Sequence, residues 1–263
     1  MIIISSMMEV SMKITYLGQM CYLIEAGSLK LVTDPYLSSS VDRPDSPRKY
    51  PPPMTLSDIM PDAILISHPH GDHLDKTSLI PFYRMRRRSF TLVPAPSADT
   101  IREIGGEAVE MSAPEPAKLG ESWRLGNVTV TAMPCAHTEL HRDEDGCYRE
   151  LSYLIEAEGK KIFFGGDMSM YDGLLEAIAA ISPDVMLLPV NGRDWFRTSQ
   201  NIIGNLDSNE AAELAARSGT KLFIPGHHDL YDFNGCPDEW IEFSANKFGA
   251  PLRILKPGET AEV

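Results

Sequence analysis

The sequence predicts an α/β fold in which two β-sheets pack face to face and helices cover their outer surfaces. Three observations predict it. Short β-branched apolar runs bounded by turn residues recur along the chain and read as strands. These runs fall into two β-rich halves, each followed by stretches of helical patterning. The 263 residues, 43% hydrophobic and 23% charged, suit one large α/β domain with a sizeable core better than two small ones.

Taken in order, residues 12–33 hold three strand-like runs, MKITYL, CYLIEA and LKLVTD, with Gly18 and Gly27-Ser28 at the turns. Asp34-Pro35 ends this meander. Residues 36–54, rich in Ser, Pro, Arg and Asp, form a long irregular loop, either the rim of a site or a plain surface excursion. Ala63-Ile64-Leu65-Ile66 is a buried strand. A helix follows over 76–88, with Arg84, Arg86, Arg87 and Arg88 crowding its end. The helix dipole favours cations there, and a phosphate-binding patch is the alternative. Phe90–Val93 is a strand, 97–105 a short helix, and 107–133 holds further strands ending in Val128–Met133.

Residues 151–157 and 161–165 pair as a hairpin around Glu158-Gly159-Lys160. A helix spans 170–181 and a buried strand 184–188, followed by a long loop to Leu206. Ser208 caps a helix that runs to Arg217, with Glu210 in its first turn. Leu222-Phe223-Ile224 is the last inner strand, and a helix near 237–248 and a strand near 252–255 close the chain. Residues 1–11 read as a poorly ordered extension ahead of Met12, and 12–263 as a single domain.

The formal net charge of −13 disfavours a broad nucleic-acid or anionic-membrane footprint, which needs a basic field, and leaves a small-molecule substrate. No apolar run approaches membrane-spanning length, and the N-terminus lacks the basic flank of a signal peptide, so a cytoplasmic location is expected. The four cysteines, Cys21, Cys135, Cys147 and Cys236, form no C-x-x-C pair and read as reduced thiols. Cys135 lies near His137 and is expected to pack as a small side chain. A homo-oligomer is compatible with an acidic chain of this size.

The chemistry concentrates in Ser67-His68-Pro69-His70-Gly71-Asp72-His73-Leu74-Asp75. Three of the seven histidines fall within six positions, at the C-terminal end of a predicted strand. Imidazole and carboxylate are what a borderline divalent cation prefers, and the alternating His68/His70 and adjacent Asp72/His73 can face two neighbouring points. The same grammar, an apolar strand followed by a ligand-type residue, recurs at His137, Asp167 and His227. His141 competes with His137, and His228 with His227; the first of each pair lies nearer its strand end. Asp75 is either a brace for a ligand histidine or a helix N-cap.

On these residues the chain resembles the metallo-β-lactamase fold superfamily. His68, His70, Asp72 and His73 match its H-x-H-x-D-H motif, and the resemblance runs from the N-terminal meander to His227. It implies a four-layer αββα sandwich of two mixed sheets. It also implies two divalent ions, manganese or zinc with iron as a third option: one held by His68, His70 and His137, the other by Asp72, His73 and His227, with Asp167 bridging. Gly165–Tyr171 and Ile224–Asn234 are similar to the L-ascorbate-6-phosphate lactonase branch. That likeness implies a lactonase acting on a phosphorylated sugar lactone through a metal-bridging hydroxide. Asp72 would also relay a proton, His228 would face substrate, and Arg193 or Arg197 would hold the phosphate. The alternative is a phosphodiesterase acting on a small cyclic or lipid phosphodiester, or a nuclease. A di-iron redox protein of the same fold is disfavoured, because His70 stands where that branch carries glutamate.

Overall fold

The computed structural model describes residues 12–85 and 88–263. The expected extension over 1–11, and Arg86 and Arg87 of the arginine cluster, lie outside the described residues. The first half opens with the predicted meander, β1 (Lys13–Gly18), β2 (Cys21–Ala26) and β3 (Leu29–Thr33). It continues through a short helix α1 (Leu56–Ile59), β4 (Ala63–Leu65), α2 (Lys76–Arg84), β5 (Phe90–Pro94), α3 (Ala98–Glu103) and β6 (Glu107–Met111). The second half runs β7 (Ser122–Leu125), β8 (Val128–Pro134), β9 (Leu151–Ala157), β10 (Lys160–Phe164), α4 (Leu174–Ile181), β11 (Val185–Pro189) and α5 (Trp195–Ser199). It ends with α6 (Ser208–Arg217), β12 (Leu222–Gly226), α7 (Asp238–Phe248) and β13 (Thr260–Glu262).

These strands make two mixed sheets. One has the order β13-β1-β2-β3-β4-β5-β6 and the other β12-β11-β10-β9-β8-β7. The facing sides share one apolar cluster, which includes Tyr16, Tyr22, Leu65, Tyr153, Phe164 and Ile224. A second cluster, with Phe163, Met186 and Phe223, packs α4, α6 and α7 on the outside of one sheet; a third, with Ile64, Leu79 and Phe82, packs α1–α3 on the outside of the other. The result is the expected four-layer αββα sandwich. Strands buried on both faces read as unbroken apolar runs, which is why AIL and VMLLP show no alternation.

Strand direction decides where the loops meet. In the first sheet β1 and β2 are antiparallel, β2 and β3 antiparallel, and β3 and β4 parallel, so β1, β3 and β4 run the same way. In the second, β8/β9 and β9/β10 are antiparallel while β10, β11 and β12 are parallel, so β8, β10 and β12 share a direction. Cross-sheet bonds tie the two loop-bearing edges together: Leu151 N–H donates to Ser67 O at 2.9 Å, and the Tyr153 hydroxyl donates to Ile66 O at 2.9 Å.

Two expectations need correction, and one open alternative is decided. The closing strand at 252–255 is only an isolated bridge from Leu252 to Phe223; the true last strand is β13, which pairs antiparallel with β1. Short apolar runs do not reveal a partner some 250 positions away. The cap of α6 is Asp207, whose carboxylate accepts from Glu210 N–H in a capping box, and Ser208 instead bonds Ser244 Oγ at 2.9 Å. Of the two roles open to Asp75, it takes that of N-cap of α2, accepting from Thr77 N–H at 3.0 Å, with Ser40 and Ser78 hydroxyls on the same carboxylate; among the described residues it makes no hydrogen bond to a histidine.

Gly166 lets the two edges close. It has φ +63°, and a Cβ there would lie 2.6 Å from Ser67 Cβ, at the start of the histidine loop. Gly249, the C-cap of α7, has a similar φ of +72° with open space around it. Gly166→Ala is expected to destabilise the chain by more than the ~1 kcal/mol that backbone strain alone costs at Gly249→Ala. Denaturant midpoints of the two variants, measured side by side, check this.

Candidate metal centre

The described residues place the ligand-type side chains of four loops together where the strand ends of the two sheets meet. His68, His70, Asp72 and His73 leave the end of β4, His137 follows β8, Asp167 follows β10 and His227 follows β12. Two triads have ligand atoms within 4.8 Å of one another at the strand ends: His68, His70 and His137, and Asp72, His73 and His227. Asp167 stands between them. Its Oδ2 lies 3.4 Å from His137 Nε2 and 3.5 Å from His227 Nε2, and its Oδ1 lies 3.3 Å from His73 Nε2.

The ring nitrogens that face inward are selected by what the others bond. His68 Nδ1 is 2.9 Å from Ser67 Oγ, which itself donates to Asp34 Oδ2 at 2.6 Å, so the imidazole is the donor and its Nε2 carries the lone pair, facing His70 Nδ1 at 2.9 Å. His73 Nδ1 donates to the same Asp34 Oδ2 at 2.7 Å, which turns its Nε2 inward. In the sequence Asp34 stands out only as the end of the meander. It follows strand β3 by the same grammar as the other ligands, and that signal would have found it. It is fully buried and also takes Ser67 N–H at 2.7 Å. A buried carboxylate that fixes a ring's tautomer is the usual support behind a metal-binding histidine. A third combination, Asp34 with His68 and His73, also lies within ligand range, but its Oδ2 is already committed to Ser67 and His73.

These residues fit divalent cations. His73 Nε2 and Asp167 Oδ1 are buried and have no hydrogen-bond partner among the described residues. Leaving such groups unpaired costs about 1–3 kcal/mol each, and a cation between them removes that cost. His70 is the one exposed histidine of the set and marks the solvent side.

The neighbouring polar residues lie outside the two triads. His141 is half-exposed and faces Glu150 at 3.7 Å, outside both triads. His228 is buried but turns away from the ligand atoms: its ring stacks on Tyr16 and its Nε2 is 3.8 Å from Asp238, on the wall of a cavity shared with Lys49, Tyr231 and Cys236. The expected substrate-facing role of His228 would have to be exerted there. Arg193 is held by both oxygens of Glu210, and Arg197 by Asp194, Asn234 and Gly235 O, so neither guanidinium is free for a phosphate. Cys135 packs as expected, its thiol donating to Asp167 O at 3.1 Å.

Electrostatics divides the histidines. Burial pulls His68, His70 and His137 below the ordinary imidazole range, and neighbouring imidazoles add to the effect. These rings are poised neutral, as ligands must be. For His73 and His227 burial acts the same way but is outweighed by the Asp167 and Asp72 carboxylates, which raise His227 to about 9 and His73 well above its usual value. Without an ion both rings hold a proton at neutral pH, and a cation must displace it. Affinity at the Asp72/His73/His227 site is therefore expected to fall by up to about tenfold per proton displaced for each pH unit below 9, more steeply than at the His68/His70/His137 site. Calorimetric titration of chelated protein with zinc at several pH values checks the difference.

Comparison with known proteins agrees with this architecture. The sequence model of the beta-lactamase superfamily domain matches residues 30–228. A UPF0173 metal-dependent hydrolase of Archaeoglobus fulgidus is 26% identical over 258 residues, 95% of this chain and 99% of that protein. One of Rubrobacter xylanophilus is 28% identical over 256 residues, 94% of this chain and 95% of that protein. Among solved structures, the metallo hydrolase Igni18 of Ignicoccus hospitalis superposes with a TM-score of 0.72 at 18% identity, over 96% of this chain and 98% of that one. A possible metal-dependent hydrolase of Veillonella parvula does so with a TM-score of 0.74 at 13% identity, over 96% and 100%. The chain belongs to the beta-lactamase superfamily domain family, with the metallo-β-lactamase fold.

Proposed function

We propose that the chain is a metal-dependent hydrolase of small molecules, that it works with two divalent cations, manganese or zinc before iron, and that a sugar lactone is its substrate class. One observation carries the reading: seven ligand-type side chains from distant loops meet where the strand ends of the two sheets come together, and His73 Nε2 and Asp167 Oδ1 among them are buried without a hydrogen-bond partner. His68 Nε2, His70 Nδ1 and His137 Nε2 would hold one ion, Asp72, His73 and His227 the other, and Asp167 both. When bound, such ions bring the pKa of a coordinated water toward neutrality and polarise a carbonyl or phosphoryl oxygen.

The remaining work belongs to the chain. Asp34 keeps the protons of His68 and His73 on their outward nitrogens, directly for His73 and through Ser67 for His68. Asp72 is the partly exposed carboxylate of the set, with a side chain 24% exposed, and is placed to pass a proton to a leaving group. Burial pushes the Cys135 thiol up, and its bonds to carbonyl oxygens hold the proton on sulfur, so it does not serve as a nucleophile. A phosphate on the substrate would need a cation other than Arg193 or Arg197, whose charges are already answered. The lactone reading rests on the likeness of Gly165–Tyr171 and Ile224–Asn234 to the lactonase branch.

His68→Ala and Asp167→Ala are expected to bring turnover down to background while circular dichroism stays that of the wild type. Asp34→Asn, which touches no ion, is expected to lose about 10–100-fold in metal affinity or activity. A panel of phosphorylated and unphosphorylated lactones, run beside a chromogenic phosphodiester, tests the substrate class. Faster turnover of the phosphodiester would favour the phosphodiesterase alternative, and full turnover by chelated protein would overturn the metal-dependent reading.

A further inference from the structure

Gln19 sits in the turn between β1 and β2 and is 1% exposed. Its backbone is left-handed, with φ +53°, a conformation uncommon for a residue other than glycine, asparagine or aspartate. His227 is also left-handed, at φ +57°, and its N–H donates to Gln19 O at 2.9 Å. Gly226 makes room for this contact, since a Cβ there would lie 2.8 Å from that same oxygen. Two strained residues from opposite sheets are thus locked together, and such strain persists where the surroundings hold it for a purpose.

The side chain of Gln19 points into the second triad. Its amide Nε2 is 3.1 Å from Asp72 Oδ2 and 3.3 Å from His227 Nε2, and its Oε1 is buried with no hydrogen-bond partner among the described residues. Ligand arms of about 2.1 Å put neighbouring ligand atoms about 3.4 Å apart around a tetrahedral ion and about 3.0 Å apart around an octahedral one. Within the triad, Asp72 Oδ2 is 3.7 Å from His73 Nε2 and 3.6 Å from His227 Nε2. The end of the Gln19 amide therefore lies at the separation that two ligands of one ion would have, from both Asp72 and His227. An amide nitrogen has no lone pair for a cation, whereas the amide oxygen has two. A half-turn about the last side-chain bond exchanges them without moving the carbon skeleton.

We propose that Gln19 is a ligand of the second cation, binding through its side-chain Oε1 after that half-turn. The inference rests on the two-ion reading above. The competing role is a positioning one, in which Nε2 keeps donating to Asp72, and the two roles predict opposite behaviour for Gln19→Glu. A carboxylate oxygen at that position serves a ligand role and holds the second ion at least as tightly as glutamine does. In the donor role it sets two carboxylates against each other and loosens the ion.

The experiment titrates chelated wild type, Gln19→Leu, Gln19→Gly and Gln19→Glu with zinc by calorimetry, counts bound ions by elemental analysis, and follows the visible absorption of cobalt as it fills the second site. Wild type and Gln19→Glu are expected to bind two ions. Gln19→Leu and Gln19→Gly are expected to weaken the second at least tenfold and to alter its cobalt spectrum. Glycine relieves the positive φ, so its variant reports even if Gln19→Leu folds poorly. Two ions bound with unchanged affinity in Gln19→Leu or Gln19→Gly, or loss of the second ion in Gln19→Glu, would overturn the ligand role alone. A single ion in the wild type would overturn the two-ion reading and this inference together.

Discussion

Parallel strand direction is the constraint on which the rest of this molecule depends. A loop can deliver a side chain only at the end of its strand. Here β1, β3 and β4 of one sheet and β8, β10 and β12 of the other carry Gln19, Asp34, the His68–His73 loop, His137, Asp167 and His227 on their C-terminal ends. Packing the sheets face to face then brings two such edges together. The apolar cluster between the sheets supplies the adhesion, with Tyr16, Tyr22, Tyr153 and Phe164 among its largest fully buried members. The polar groups inherit their positions from it.

That placement runs against the ordinary preference of polar groups for water. Five imidazoles and several carboxylates share a small volume, and His73, Asp34 and Asp167 are among the most deeply buried residues. Unpaired charge in such a place is costly, and the protein offsets it in two ways. The outward-facing nitrogens of His68 and His73 are satisfied by Ser67 and Asp34, and their inward ones face the other ligand-type side chains. The same arrangement splits the histidines by protonation: those near Asp167 and Asp72 keep a proton in the ion-free chain, and those at the other triad do not.

Backbone strain follows the same map. Of the non-glycine residues with positive φ, Gln19, Asp34 and His227 all lie at the candidate centre. Hydrogen bonds hold each one in place: Asp34 N–H to Leu65 O at 2.8 Å, and His227 N–H to Gln19 O at 2.9 Å. Close approach at Gly166 and Gly226 removes the steric obstacle to these contacts. These contacts fix the course of the loops at the centre, which a site built from loops needs if its geometry is to be held.

Local patterning in the chain was enough to define most strands, the Glu158–Lys160 hairpin, the layered fold class and the loop residues with ligand chemistry, because apolar periodicity and turn residues act over a few positions. It also marks His137 and His227 as nearer their strand ends than His141 and His228. What it did not contain was pairing across long separations. The β13–β1 edge joins the two ends of the domain, Asp34 reaches His73 across 39 positions, and Gln19 reaches His227 across 208. Asp75 and Asp207 turned out to be helix caps, and Arg193 and Arg197 partners of nearby acids, because a side chain's role is set by what packs against it. Residue type and spacing determined which groups can bind a cation; only the tertiary fold decided which lone pairs face one another, since burial and hydrogen bonding select the nitrogen or oxygen that remains free.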